Sequence, residues 1–468
     1  MDPIKIKFGT DGWRAIIAKE YTTDNVARVA VATALWLKER YDAPKAVLGH
    51  DCRFGGPMFA EVTAKVLCEN GVKVFMAEGY VSTPMVSLGA LKYNAGVGVV
   101  LTASHNPPTY NGYKLKASFG GPMVPANIAE VEELIPDEAV IPDTSLEDYK
   151  SQGLLEIVDL EEMYVQDVET AFDMEAIRNS GIKVGYDAMF GAGQRAMQRL
   201  LPDATFLHCD DNPGFHGRAP EPIHKNLLEF SELIKNSGDI QIGIANDGDA
   251  DRIGVYDSKG NFVDSHHVIL LAIYYLHKIK GWDGKVVIAF SVTDRVKKLC
   301  EAYGLEVQVT QIGFKYIGGI MVEDDVLLGG EESGGIAVKG HIPERDGIWM
   351  GLLLIELMAK TGKSLEELIL EIYEKVGAFT FERDDLHISN ELKWEIMKNC
   401  EDGKYERFGN RLVERVETID GFKFHLDGGD WVMIRPSGTE PVLRVYAEAG
   451  SPTAVRILLD TVHQSLKG

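Results

Sequence analysis

KAVLGHDCRFGGPMFAEVTAKVLCENGVKVFMAEG, Lys45 to Gly79, switches between two periodicities. KAVLGHD (45–51) is a short apolar run of strand type. PMFAEVTAKVLCENG (57–71) spaces its apolar residues for a helix, opens on a proline and stops at a glycine. VKVFMAEG (72–79) is strand-like again. This βαβ punctuation predicts a sheet covered by helices on both faces. The pattern continues into GVGVVLTA (96–103), returns at IKVGYDAMFGAGQRAMQRLL (182–201) and again at KVVIAFSVTDRVKKLCEAYGLEVQVTQIG (285–313). Three similar α/β units in series are expected, divided at 1–152, 153–257 and 258–377. After Gly377 the texture changes. FKFHLDGGDWVMIRPSGTEPVLRVYAEAG (422–450) is dense in strand and turn signals, and SPTAVRILLDTVHQSL (451–466) reads as a serine-capped helix. Residues 378–468 are therefore expected to form a smaller α+β domain.

A chain of 468 residues is long enough for roughly three or four domains. The net charge of −23 disfavours nucleic acid or an anionic membrane as a partner, and any anion site must concentrate cations locally. MDPIKIKFGTDGWR has no apolar signal-peptide core, and GIWMGLLLIELMAK (347–360) is too short to span a bilayer and carries Glu356. Five scattered cysteines without a CxxC pair argue for reduced thiols in the cytoplasm.

Four loops carry candidate chemistry. In VVLTASHNPPTYNGYK (99–114) a buried strand breaks into an irregular, proline-rich loop that is read as carrying Ser104, His105 and Lys114. Ser104 is a candidate nucleophile; taken alone, the loop is more readily a capped turn in which Ser104 and Asn106 bond the backbone. In IANDGDADRIGVY (244–256), Asp247, Asp249 and Asp251 alternate, so three carboxylates can face one point and hold a hard cation, Mg²⁺, a reading that the apolar strands on both sides favour over a solvated acidic turn. An EF-hand is disfavoured, because Arg252 and Ser258 stand where its glycine and its last glutamate belong. LLGGEESGG (327–335) exposes Glu331 and Ser333 between glycines, suited to sugar hydroxyls, or is simply a glycine-rich turn. IRPSGTEP (434–441) offers Arg435, Ser437, Gly438 and Thr439 to a phosphate dianion. Gly191 and Gly193 are read as structural glycines of a strand-to-helix turn, and His266 and His267 as structural.

Together and in this order, FGTDGWR, TASHNP, DGDADR, GGEESGG and RPSGTEP resemble the signature loops of the α-D-phosphohexomutases over nearly the whole chain. The resemblance implies three α/β/α domains and a smaller α+β domain around a central cleft. It implies a phosphoserine at Ser104, which also supplies an oxygen to the Mg²⁺ held by Asp247, Asp249 and Asp251. His105, Lys114, Arg14 and Arg252 match catalytic and cleft residues. Glu331 and Ser333 match the pair reading sugar hydroxyls, and Arg435, Ser437, Gly438 and Thr439 match the loop holding the non-reacting phosphate. Hexose phosphates are the implied substrates, with glucose 1,6-bisphosphate as intermediate and activator. Gly313 and Lys315 in IGFKYIG resemble glucomutase-type members, as does HIPERDGIW, although Arg345 stands where lysine is more usual. Gly335 occupies a place where several mannose and glucosamine enzymes carry histidine. Glucose is thus expected first, with dual glucose and mannose specificity as the alternative. A Mg²⁺-dependent sugar phosphatase or a sugar-phosphate sensor is the remoter possibility. The sequence sets no oligomeric state.

Overall fold

The computed structural model describes residues 4–437 and 442–467. The chain divides into two compact units, Met1–Val287 with Gly313–Leu368, and Ile288–Ile312 with Ile369–Gly468.

The stretch from Lys45 folds as strand Lys45–His50, helix Gly56–Glu69 and strand Lys73–Tyr80, the strands pairing in parallel with Lys45 opposite Lys73. The helix buries Phe59, Ala60, Thr63, Val66 and Leu67, the 3.6-residue face its sequence predicts. Gly71, in the left-handed region at φ 80°, ends it by donating its N–H to Cys68 O at 2.8 Å. These strands belong to a six-stranded mixed sheet, ordered Trp13–Ile16, Tyr110–Ala117, Val97–Leu101, Lys45–His50, Lys73–Tyr80, Leu155–Val158. A second sheet has five strands, with Ile242–Asn246 between Ile253–Asp257 and Val184–Asp187. A third, four-stranded sheet contributes the hairpin Val326–Gly330 with Ile336–Val338 to the first unit.

One construction recurs in all three. A fully buried strand runs into a loop and an antiparallel strand returns from it: Val97–Leu101 to Tyr110–Ala117, Ile242–Asn246 to Ile253–Asp257, and Val326–Gly330 to Ile336–Val338. The loops are therefore hairpin crests, each pinned on both sides by ladder hydrogen bonds. This corrects the reading of Lys114. It lies in the returning strand, opposite Val100, and not in the irregular loop.

GIWMGLLLIELMAK is a buried helix, Gly347–Thr361, capped by Asp346, whose carboxylate accepts from Trp349 N at 2.9 Å. Its Glu356 is satisfied inside the protein, accepting from Asp173 N at 2.8 Å and pairing with Lys280 at 3.1 Å. A side chain at Gly347 would collide with the Arg252 carbonyl and the Asn246 amide, so glycine is what lets this helix start against the Asp247–Asp251 loop. His267 sits in a buried helical turn, paired with Asp264 at 2.7 Å. Gly193 leads into helix Gln194–Leu200, and Gly191 packs on the Asp247 carbonyl, both through lack of a side chain. No helix among the described residues is long and apolar enough to cross a membrane, and all five cysteines are free thiols.

In the second unit, a six-stranded antiparallel sheet runs Thr380–His387, Val442–Ala449, Trp431–Pro436, Phe422–Leu426, Arg411–Glu417, Arg407–Phe408. Helix Pro452–Lys467 starts at Ser451, whose hydroxyl accepts from Ala454 N at 3.2 Å. Helix Asn390–Glu401, absent from the reading of the sequence, follows the first strand. Asp294 of the 288–312 segment pairs with Lys423 at 3.4 Å, and Lys423 Nζ lies 3.9 Å from the Trp431 ring centroid. Burial opposes ionisation of Asp294, but Lys423, Lys297 and His425 outweigh it and hold the carboxyl at about 2, below the usual 3.8. A depressed acid stabilises the fold at neutral pH and gives that stability up as pH falls from 4 to 2, about 2 kcal/mol here. Urea titrations between pH 5 and pH 2.5 should show this slope in the wild type and lose much of it in Asp294→Asn.

Candidate active site

Ser104 sits on the first crest with its backbone in the left-handed region, φ 51°, and is 1 % exposed. Arg53 holds it there. Its guanidinium donates to the carbonyls of Ser104, Asn106 (2.7 Å), Pro107 (2.9 Å) and Tyr110 (3.1 Å). Asp51 pairs with Arg53 at 3.2 Å and accepts from Thr102 Oγ1 at 2.6 Å, while Ser104 N donates to the same hydroxyl at 2.8 Å. A buried loop with this many carbonyls needs such donors. Burial raises the Asp51 carboxyl to about 6 despite Arg53.

The Ser104 hydroxyl points across to the second crest and donates to Asp247 Oδ2 at 2.7 Å. Asp247, Asp249 and Asp251 are all fully buried, with one oxygen of each lying within 4.8 Å of the others. Burial, Asp251 and Asp249 together push the Asp247 carboxyl well above its usual range. Asp249 is held low by Lys114 in spite of burial. Lys114 Nζ lies 2.7 Å from Asp249, 3.1 Å from Asp251 and 2.8 Å from Asp11. Asp249 Oδ1 and Asp251 Oδ1 remain buried without a hydrogen-bond partner. Bare buried carboxylate oxygens are costly, and three converging oxygen donors are what a hard divalent cation takes. These residues fit Mg²⁺.

The third crest brings Glu331, whose Oε1 accepts from Gly313 N at 3.0 Å and whose carboxyl is raised by burial. Ser333 is half-buried on the same loop. Arg345 ties the second and third crests to the N-terminal loop. Its Nη2 donates to Asp251 at 2.6 Å and to Asp11 at 2.5 Å, and Nη1 lies 3.9 Å from Glu331. A side chain at Gly335 would collide with Arg345 Cδ, so the bare glycine makes room for the arginine. Asp346 next door accepts from Tyr164 (2.8 and 2.9 Å) and pairs with His341 (2.9 Å), fixing the segment that carries Arg345.

Arg14 reaches the serine loop from the edge strand, donating to Asn106 Oδ1 at 2.7 Å. His105 Nδ1 is 3.3 Å from Ser104 Oγ. Burial first, then Arg252, Arg14, Lys114 and Arg53, lowers its pKa well below 6.5. Arg252 Nε lies 4.0 Å from Asp251. Lys315, in helix Phe314–Glu323, lines a cavity of about 180 Å³ with Thr10, Asp11 and Gly12. In the second unit, Arg435 Nε donates to Asp420 at 3.0 Å, and the Ser437 carbonyl accepts from Lys393 at 3.2 Å. Gly438 and Thr439 lie outside the described residues. Reading the sequence missed Asp11, Asp51 and Arg53. Asp11 stands inside FGTDGWR, and Asp51 and Arg53 follow the strand KAVLGH directly.

Repeated α/β segments whose hairpin crests converge on one buried, charged cluster define a multidomain α/β enzyme. Four family models match successive parts of the chain. They are phosphoglucomutase/phosphomannomutase α/β/α domains I (5–140), II (162–260) and III (264–376), and the C-terminal domain (395–464). A phosphoglucomutase/phosphomannomutase of Thermococcus kodakarensis is 30% identical, covering 98% of this chain and 99% of its own. A Methanobrevibacter smithii relative assigned as a phosphoglucosamine mutase is 31% identical over 99% of both chains. A crystal structure assigned to a phosphomannomutase of Thermus thermophilus is 34% identical, covers 100% of both chains and superposes with a TM-score of 0.88. The chain belongs to the α-D-phosphohexomutases, the phosphoglucomutase/phosphomannomutase family of isomerases.

Proposed function

We propose that the protein interconverts α-D-glucose 1-phosphate and glucose 6-phosphate through phospho-Ser104 and a bound glucose 1,6-bisphosphate. The observation carrying this is the Ser104 hydroxyl, 2.7 Å from Asp247, whose carboxylate converges with those of Asp249 and Asp251, both paired with Lys114. The four segments 1–152, 153–257, 258–377 and 378–468 would each contribute one loop.

The serine phosphoryl passes to the free hydroxyl of a hexose phosphate. The bond from Oγ to phosphorus breaks as the bond to the sugar oxygen forms, and the hydroxyl proton moves to a neighbouring group. His105 Nδ1, 3.3 Å from Ser104 Oγ and kept unprotonated by burial and the cations around it, is placed to pass that proton on to the departing serine oxygen. The bisphosphate then turns end for end and returns its other phosphoryl to Ser104 Oγ, the serine's proton going to the sugar oxygen as its bond to phosphorus breaks. Phosphoryl transfer asks mainly for placement and charge neutralisation, which Lys114, Arg14 and Arg252 supply. Mg²⁺ held by Asp247, Asp249, Asp251 and the serine oxygen would add neutralising charge at the phosphoryl group. Glu331 and Ser333 would bond the O3 and O4 hydroxyls, with Gly313 and Lys315 beside them. Arg435, Ser437, Gly438 and Thr439 would hold the non-reacting phosphate.

Glucose is favoured by the IGFKYIG segment and by Gly335, whose bareness lets Arg345 lie against Glu331. The names of the relatives span glucose, mannose and glucosamine mutases. A mutase assay with Mg²⁺ and trace glucose 1,6-bisphosphate, comparing the three sugar 1-phosphates, decides between them. Glucose should give the highest kcat/KM; equal glucose and mannose values would make the enzyme dual-specific. Gly335→Ala should lower kcat/KM at least about tenfold, because the new methyl evicts Arg345; a tenfold loss is about 1.4 kcal/mol. Steady-state kinetics of the variant check this.

A further inference from the structure

Nine non-glycine residues among those described have φ in the left-handed region. Ser104 and Ala250 are on the first two crests. Five of the others, Met189, Phe190, His208, Phe215 and His216, line one cavity in the second α/β segment. Each is a conformation that ordinary side chains avoid, and such residues gather at functional sites and ligand clamps. The cavity measures about 470 Å³, within the range of small-molecule sites.

Its lining is aromatic and imidazole-rich, with Arg218 as its one arginine or lysine and Glu229 as its one acid. The Phe190 ring packs against two imidazoles, His208 at 4.6 Å and His216 at 4.7 Å, both tilted by 46°. His208 is oriented by Asp187, at 3.0 Å from Nδ1, with Glu229 3.5 Å from Nε2. Arg218 and Asn226 stand at the wall. The chain has 71 acidic against 48 basic side chains, yet no ion pair or side-chain hydrogen bond of Arg218 occurs among the described residues. Phe215 is shared: its ring also lies under the Arg53 guanidinium, at 4.9 Å, the group that holds the Ser104 loop.

We infer that this cavity binds a nucleoside phosphate, the base stacking on Phe190 and the His208 imidazole and the phosphate taken by Arg218 and His216. Aromatic faces accept a base of any kind, and a guanidinium fork is matched to phosphate oxygens. Neither group is part of the machinery assigned above, so the site stands independently of the mutase reading.

The test is isothermal titration of the full chain with AMP, with adenosine and inorganic phosphate as single-feature probes. AMP should bind saturably and more tightly than either fragment, and glucose 1,6-bisphosphate should not displace it. Arg218→Ala and His216→Ala, both exposed positions, should each weaken AMP binding about tenfold or more, the loss of one charge-assisted hydrogen bond, while turnover without AMP stays as in the wild type. Absence of saturable binding at millimolar AMP would overturn the inference. So would unchanged affinity in both variants, or displacement by the bisphosphate, which would place the nucleotide in the active site.

Discussion

Ser104→Ala is expected to lower mutase kcat/KM by a factor on the order of 10⁴ or more, with the fold intact. In the proposed cycle Ser104 carries the transferred phosphoryl, so its loss would remove the covalent route and leave only binding and charge placement. The hydroxyl's short contact is with Asp247, and the loop is held by Arg53, not by the serine side chain. Stability should therefore fall by only about 1–3 kcal/mol, the cost of leaving the buried Asp247 oxygen without its donor. Steady-state assays with glucose 1-phosphate and trace bisphosphate, paired with thermal melts, check both halves. Retained activity would remove Ser104 from the reaction.

Lys114→Met has the second-largest expected effect, and it reaches stability as well as rate. The ammonium is fully buried and neutralises Asp11, Asp249 and Asp251 at 2.7 to 3.1 Å. An apolar side chain of similar length leaves those carboxylates uncompensated, which for a broken buried pair costs about 3–5 kcal/mol. Urea unfolding in EDTA should show that loss. Added Mg²⁺ should recover part of it, because a cation binding only the folded triad stabilises the folded state. The rate should still fall by roughly 10²–10³, the usual loss when one charge-stabilising group is removed from a reacting centre. Wild-type stability in EDTA would show that Lys114 does not carry the charge balance of the cluster.

The two predictions rest on residues of very different legibility. The convergence of Asp247, Asp249 and Asp251 can be read directly, since alternating acids on an extended loop between apolar strands can turn to one point. Ser104 stands just past a run, Val97–Leu101, that is buried throughout. Lys114 is recognisable by type but not by place. Its strand, YNGYKLKA, buries Asn111, Gly112, Lys114 and Lys116 alike, so no alternation of apolar and polar residues announces a strand. The lysines are buried there because each finds a partner distant in sequence. Lys116, for example, pairs with Glu344 at 2.9 Å, and no local pattern encodes such a contact. The same holds for Arg345, whose partners Asp11 and Asp251 come from two other segments, and for Arg53, most of whose acceptors are main-chain carbonyls. The grouping of Ile288–Ile312 with the C-terminal residues is likewise invisible in the sequence, because the segment's composition matches the α/β units before it.

The central claim is that Ser104 stores the phosphoryl group between two sugar-phosphate half-reactions. Peptide mapping by mass spectrometry after incubation with glucose 1,6-bisphosphate and Mg²⁺ tests it most directly. The account predicts one phosphoryl group on Ser104, which leaves on addition of excess glucose 1-phosphate and is recovered as bisphosphate. A phosphoryl group found on another residue, or lost from Ser104 to water as inorganic phosphate instead of to the sugar, would contradict it.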